Sequence, residues 1–252
     1  LDNDHNLFVA GNFFGQRTLS FDSRSSMSGV IATSNWTIGD NGAPLSGTRQ
    51  IIMRISPEYN PETSASADRI IDPVDWIATD AVNGSVITGL TTDEDGHVYV
   101  AGQGGAGSSY EFYEPCNAQT CVSGLTGTAT ISSTSANSHT AVFLHGRVGP
   151  TGESLFEPLI STAPANTSTV AEHEVQDLVY DSKSKQLIMV GAYRGSINLD
   201  DGNSAFNGIL EAPSADASNM YVALFDKRGA LSQDVLELQH DPPSTNTVSS
   251  RI

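Results

Sequence analysis

The 252-residue sequence predicts an all-β fold assembled from repeated antiparallel units, and three observations carry that expectation. The first is self-similarity. LFVAGNFFG from Leu7, VYVAGQGGAG from Val98 and LIMVGAYRG from Leu187 align Gly11, Gly102 and Gly191 at separations of 91 and 89 residues. The second is short runs in which β-branched and aromatic residues alternate with polar ones between Gly, Asn, Asp and Ser. The third is the scarcity of helical spacing.

Each unit is read in order around its glycine. A first strand candidate ends at Asp93 (GLTTD) and at Asp181 (DLVYD), and the first unit lacks a counterpart. An acidic turn follows, DNDHN, DEDGH or the degraded DSKSKQ, where aspartates accept turn hydrogen bonds and a glycine supplies positive φ. The second strand carries the glycine anchor, so the first and second strands should pair. RTLSF, SSYEF and SINLD give a third candidate, and after a long polar insertion come QIIMRIS from Gln50, TAVFLHG from Thr140 and MYVALFD from Met220 as a fourth. Val175, Leu178 and Val179 in AEHEVQDLVYD have helical spacing, but the counterpart GSVITGLTTD does not, so both read as strand.

Four-stranded antiparallel units in series point to β-propeller blades. The units span about residues 1–75, 76–165 and 166–252, within one domain over 1–252. They exceed the roughly 40–50 residues of common blades, and the surplus insertions are expected to form extra hairpins. A ring needs about four to eight blades, so the chain reads as a fragment of a larger propeller.

Composition narrows the partners. The chain is 38% hydrophobic, sufficient for a sizeable core, and acidic residues outnumber basic ones 29 to 12, for a net charge of −17. Nucleic acid and anionic membranes would repel such a surface. No run of about eighteen apolar residues offers a membrane span. Cys116 and Cys121 lie in CNAQTC, close enough to bridge in an oxidising compartment, the alternatives being two free thiols or half of a zinc site. Sequons at Asn35, Asn83 and Asn166 agree with a glycosylated, secreted or surface-exposed protein.

Gly102, Gly104 and Gly107 spell GxGxxG, the fingerprint of a dinucleotide turn, which requires a helix next to receive the pyrophosphate. SSYEFYEPCNAQTC reads instead as strand and loop, and the equivalent turns GNFFG and GAYRG lack the middle glycine. The nucleotide reading fails.

Catalytic signatures are equally sparse. No serine has GxSxG context. His173 stands between Glu172 and Glu174 on alternating faces, without HExxH spacing, and reads as an exposed polar strand edge. His5, His97, His139, His145 and His240 do not cluster. Asp2 and Asp4, Asp93 and Asp95, and Asp200 and Asp201 are the calcium candidates, but two carboxylates per turn fall short of six to eight oxygens, so a turn-forming role is expected and no cofactor is assigned. Paired carboxylates for glycoside hydrolysis would have to converge from different blades. Phe13, Phe14, Tyr110, Phe112 and Tyr113 could stack on sugars, and as blade aromatics they are expected to pack between units.

The combination carried by DEDGHVYVAG, NLFVAGNFFG and NMYVALFDKRG resembles the SBBP-type β-propeller repeats of secreted and cell-surface proteins. Trp76 is similar to the aromatic residue those repeats carry after the fourth strand. The resemblance spans nearly the whole chain and departs in its long insertions and in DSKSKQ. It implies a propeller and no particular chemistry. The expectation is a non-catalytic extracellular structural or protein-interaction module whose partners are proteins or glycans at the cell surface or in an extracellular assembly. A lectin-like propeller, calcium-dependent or not, is the alternative, and a hydrolase with channel-facing acids the third.

Overall fold

The computed structural model describes residues 2, 6–14, 17–24, 31–39, 48–55, 74–82, 86–105, 109–113, 115–116, 120–122, 132–134, 140–162, 171–200, 205–211 and 218–238. All regular secondary structure among them is β. The first unit contributes β1 (Leu7–Phe14), β2 (Arg17–Arg24), β3 (Ile31–Gly39) and β4 (Thr48–Ile55), and β5 (Val74–Val82), which straddles the expected boundary near residue 76, joins the sheet of β1 and β4 and so belongs with the first unit. The second contributes β6 (Val86–Thr92), β7 (Val98–Gly104), β8 (Ser109–Glu111), β9 (Thr120–Val122), β10 (Ser132–Thr134), β11 (Ala141–Arg147) and β12 (Leu159–Ile160). The third contributes β13 (Glu172–Asp181), β14 (Gln186–Arg194), β15 (Ser196–Asn198), β16 (Ile209–Glu211), β17 (Ser218–Phe225) and β18 (Leu236–Leu238).

Three main sheets are ordered β1-β4-β5-β8-β10, β12-β11-β7-β6 and β13-β14-β17-β18. The last two have the same connectivity: first and second strands pair antiparallel, as expected, and the next two strands complete the sheet. The segment 172–181 is strand, in agreement with its counterpart. One expectation is corrected. RTLSF, SSYEF and SINLD do contribute strands, yet each leaves its own unit's sheet: β2 pairs with β3, β8 crosses to β5, and β15 pairs with β16. In the third unit the cause is visible at Gly195, whose φ of 78° turns the chain so that Ile197 and Leu199 plug the core instead of extending the ladder. The insertions supply β3 and β16, which pair with the displaced strands β2 and β15, and β9, which lies alongside β3 in parallel.

The sheets stack face to face in chain order. Val98, Val100, Ala141 and Phe143 of the second sheet pack against Phe8, Ile52, Trp76 and Ala78 of the first. The intervening positions, Tyr99, Ala101, Val142 and Leu144, pack against Val175, Leu178, Leu187 and Met189 of the third. Both faces of the middle sheet are therefore buried, which is why β11 opens with four consecutive apolar residues, AVFL, before His145. Each large apolar side chain so buried contributes about 2 kcal/mol relative to exposure.

The anchor glycines are explained by what crosses them. A β-bulge in the first strand lies opposite two of the three: between Ile87 and Gly89 against Gly102, and between Val175 and Asp177 against Gly191. A Cβ on Gly102 would sit 2.2 Å from the Val86 carbonyl oxygen, and one on Gly191 would sit 2.0 Å from that of Glu174. A second contact joins neighbouring units. Trp76 donates its indole N–H to the Gly149 carbonyl at 2.8 Å and covers Gly152, while Phe156 in the next unit covers Gly229 in the same way. Gly152 and Gly229 have φ of 75° and 77°, so each turn presents bare backbone to an aromatic ring.

Candidate functional site

Among the described residues two places gather chemistry-bearing side chains, the acidic turn between β6 and β7 and a cleft around His173. The turn begins with Asp93, whose side-chain Oδ1 accepts the backbone N–H of Asp95 at 3.0 Å and of His97 at 2.9 Å. Gly96, with φ of 77°, closes it. The other oxygen, Oδ2, receives the Tyr99 hydroxyl at 2.9 Å and faces His97 Nδ1 at 3.1 Å. Burial raises the Asp93 pKa, and the ring and backbone hydrogen bonds from His97 with that from Tyr99 outweigh it, so the carboxyl is held below its ordinary value.

Lys227 enters this turn from the third unit. Its ammonium lies 2.7 Å from Asp95 Oδ2, 2.8 Å from Glu94 Oε1 and 3.4 Å from Asp93 Oδ2, and stands 5.6 Å from the centre of the Tyr180 ring. Lys185 Nζ is also 2.8 Å from Glu94, and the Tyr180 hydroxyl donates to the other oxygen of that carboxylate. Lys185, Lys227 and Tyr180 together hold Glu94 well below the usual carboxylate range. Partial burial acts against the charge on Lys227, but Asp95, Glu94 and Asp93 prevail and keep its proton bound above the usual lysine range. Burial and then Glu94 push Tyr180 up to about 12.

Asp93, Asp95 and His97 are close enough to share one cation. The Lys227 ammonium already sits between the aspartates, and a divalent ion would have to displace it while finding further oxygens. Asp2 makes a related turn, accepting the Asn6 backbone and side-chain N–H groups at 2.8 Å each. The DSKSKQ turn persists despite its composition: Asp181 accepts backbone N–H bonds from Lys183 and Ser184, and Lys185 takes positive φ of 59°. Asp200 Nα–H bonds Asn198 Oδ1 at 2.9 Å in a separate loop. Asp4 and Asp201 lie outside the described residues.

His173 is 1% exposed, which corrects the exposed-edge reading. Its Nε2–H donates to the Ser196 carbonyl at 2.9 Å, leaving Nδ1 to accept the Ser161 hydroxyl at 2.9 Å, and the Ser161 oxygen accepts Val142 N–H at 2.9 Å. A serine–histidine pair with an oriented imidazole has the outline of an activated nucleophile. Here the hydroxyl is 3% exposed and its oxygen is engaged by the backbone, so the pair joins the second unit to the third. Beside it lies a cleft of about 330 Å³ lined by Gln103, Gly104, Thr140 and His173, with Glu172 and Glu174 exposed at its rim. Glu172 pairs with Arg194 at 3.4 Å and Glu174 accepts from Gln176.

The remaining sequence candidates separate. Phe112 contacts Phe143 and His145 of its own unit and is buried in the same apolar cluster as Phe8, Ile52 and Trp76 of the first sheet, and the Tyr113 carbonyl accepts from buried Arg147. After Gly104 the next described element is the strand β8. Cys116 is not a free thiol, and it bridges through its backbone to Ile77. The side chains of Cys121, Asn35, Phe14 and Tyr110, and residues Asn83, Asn166, His5, His139 and His240, lie outside the description. Lys227, Arg147 and the Ser161–His173 pair were missed. The scarcity of lysine was a usable signal: of the three in the chain, Lys185 and Lys227 both reach Glu94.

No protein-family model, curated protein or solved structure matches the chain. Among the described residues no helix is long and apolar enough to cross a membrane.

Proposed function

We propose that the chain is a run of β-propeller blades of the SBBP type, serving as a non-catalytic structural or protein-interaction module of a secreted or cell-surface protein. The observation that carries this reading is the outer face of the third sheet. The corresponding face of the second sheet, Tyr99, Ala101, Val142 and Leu144, is covered by the third unit. On the third sheet that face presents Ile188, Val190, Val222 and Leu224, flanked by exposed Val179, Met220, Leu236 and Leu238. A continuous apolar sheet face of this kind is a surface for stacking or association. The apolar interlayers, the Trp76 and Phe156 contacts and the Lys227 clamp all serve unit-to-unit packing.

The extracellular part of the reading rests on the three sequons and on the spacing of Cys116 and Cys121, which allows a bridge. Intact mass of the protein secreted from a eukaryotic host, before and after deglycosylation and reduction, is expected to reveal glycans at Asn35, Asn83 and Asn166 and one bridge. Unmodified asparagines and two free thiols would remove it. The interaction part is tested by Met220→Asp with Leu236→Asp. The pair is expected to leave the melting transition in place while abolishing hydrophobic-dye binding and self-association. A wild-type chain that is monodisperse and dye-silent would refute it. A glycan array with and without chelator tests the lectin alternative, which calcium-dependent binding to a defined sugar would establish.

A further inference from the structure

We infer that the cleft between the second and third units is a binding site for a single neutral sugar ring. Its existence is a departure from the repeat. Aligned on the anchor glycines, GNFFG, GQGGAG and GAYRG put Phe13, Gly104 and Tyr193 at one position and Phe14, Gly105 and Arg194 at the next. The ladders agree, since Phe13, Gly104 and Tyr193 face Arg49, Ala141 and Asn219, each two residues before the partner of the anchor glycine. In the third unit Tyr193 is 1% exposed and fills its place, its hydroxyl bonded to Glu237. In the second unit both side chains are missing, and the cleft of about 330 Å³ lies there, walled in part by Gly104 and Gly105. Glycines that spell a dinucleotide fingerprint in the sequence serve in the fold as bare backbone beside an opening.

The polar side chains around that opening are anchored at one atom and unengaged at another. Glu172 Oε2 pairs with Arg194 at 3.4 Å, Glu174 Oε2 accepts from Gln176 at 3.3 Å, and Gln103 Oε1 accepts the Val175 N–H at 3.0 Å. The second oxygen of each glutamate and the Gln103 side-chain N–H groups have no partner among the described residues. Orientation is thus settled before a ligand arrives, which lowers the ordering cost of binding. Thr140 fixes the floor, where its Oγ1 accepts the His173 N–H at 2.6 Å and donates to the His173 carbonyl at 3.2 Å.

These groups select the class of ligand. Two carboxylates and a net charge of −17 repel phosphates and carboxylates. Arg194 already supplies Glu172 with a cation, and the Gln103 N–H groups would oppose an ammonium or guanidinium. Acceptors and a donor around one opening match hydroxyl groups, which give and take hydrogen bonds at once. Val86, 46% exposed, is the apolar side chain of the lining and offers a surface to ring C–H groups. At about 330 Å³ the cleft stands at the small end of the roughly 300–1,000 Å³ of ligand sites, which suits one ring. The inference goes beyond the module reading and stands on the cleft alone, so its failure leaves that reading intact.

The probes are methyl pyranosides of glucose, galactose, mannose and N-acetylglucosamine, titrated into the intact chain with amide NMR as readout, beside neutral oligosaccharides that end in the same rings. Saturable binding of a pyranoside at about 1 mM is expected. It should shift the Gln103 side-chain amide and the Gly104 and Thr140 N–H signals. Tighter binding of the oligosaccharide assigns the ring to a glycan, and equal binding assigns it to the free sugar. Glu172→Gln with Glu174→Gln keeps the shape of the cleft and should weaken binding at least about tenfold with the melting transition unchanged. Gly104→Tyr restores the side chain of the third unit and should abolish binding, and the glutamine pair carries the test if that variant does not fold. Silence towards every pyranoside, shifts that map elsewhere, or undiminished affinity in the glutamine pair would overturn the assignment. So would preference for glucuronate, for the guanidinium probe agmatine or for glycerol.

Discussion

The turns Asp93–His97 and Asp226–Ala230 are one device built twice, and they differ only in what the rest of the chain does to them. In each, the aspartate Oδ1 accepts backbone N–H groups two and four residues on, at 3.0 and 2.9 Å in the first and 2.8 and 3.0 Å in the second. In each a glycine at φ 77° closes the loop. Asp93 is then buried, bonded by Tyr99 and His97 and approached by Lys227, the residue that follows Asp226 in the other turn. Local chemistry writes the turn. Tertiary packing decides which of its atoms become indispensable.

Swapping the glycine for alanine should separate the two turns most. At Gly229 the methyl meets both the left-handed backbone and the Phe156 ring, 2.5 Å away, for a loss of about 4 kcal/mol from strain and overpacking together. At Gly96 the nearest side-chain atom is Asp2 Oδ2 at 3.2 Å, and the loss should be about 1 kcal/mol from strain. Urea melts of both variants measure the difference, and equal losses would show that Phe156 yields.

Truncating the aspartate should reverse the order. Asp93→Ala strips partners from two backbone N–H groups, the Tyr99 hydroxyl and His97 in a buried place, for about 3 kcal/mol. Asp226→Ala should cost about 1 kcal/mol. Next in size is the link between them. Lys227→Met keeps the alkyl stem and deletes the ammonium, at about 1 kcal/mol in low salt. The loss should shrink in about 1 M salt, where screening reaches within a few ångströms, and a salt-independent loss would mean that Lys227 contributes packing alone.

The Asp93 turn was legible in the sequence because an Asp and a Gly three residues apart act through their own backbone, and the same spacing in Asp226–Gly229 went unread. The all-β content and the pairing of first and second strands were legible too. The third strand candidates were not, since RTLSF, SSYEF and SINLD alternate as sheet strands do and only Gly195 and the plugging of the core by Ile197 show one of them leaving. His173 was misjudged because its flanking glutamates were read as the character of the whole segment. The period-2 alternation, which puts His173 on the face of Val175 and away from Glu172 and Glu174, was the better guide. Lys227 acts across 132 residues, a separation at which pattern carries no pairing information.

The smallest expected effect is the most specific to the buried turn. The Asp93 pKa lies below its ordinary value of 3.8 in the folded state, so the unfolded chain binds the proton first as acid is added. Its stabilisation is fully present above that ordinary value and is lost as pH falls through the lower folded one. Glu94, held low by Lys185, Lys227 and Tyr180, works in the same sense and the same acid range. Asp93→Asn retains an acceptor oxygen and removes the titration, so the variant should start less stable at neutral pH and lose less on acidification below about pH 4. Adding Glu94→Gln should flatten the acid limb further. Urea midpoints from pH 6 down to the acid transition, on wild type and both variants, measure those slopes, and parallel curves would show that the Asp93 charge does no more for the fold than its oxygen.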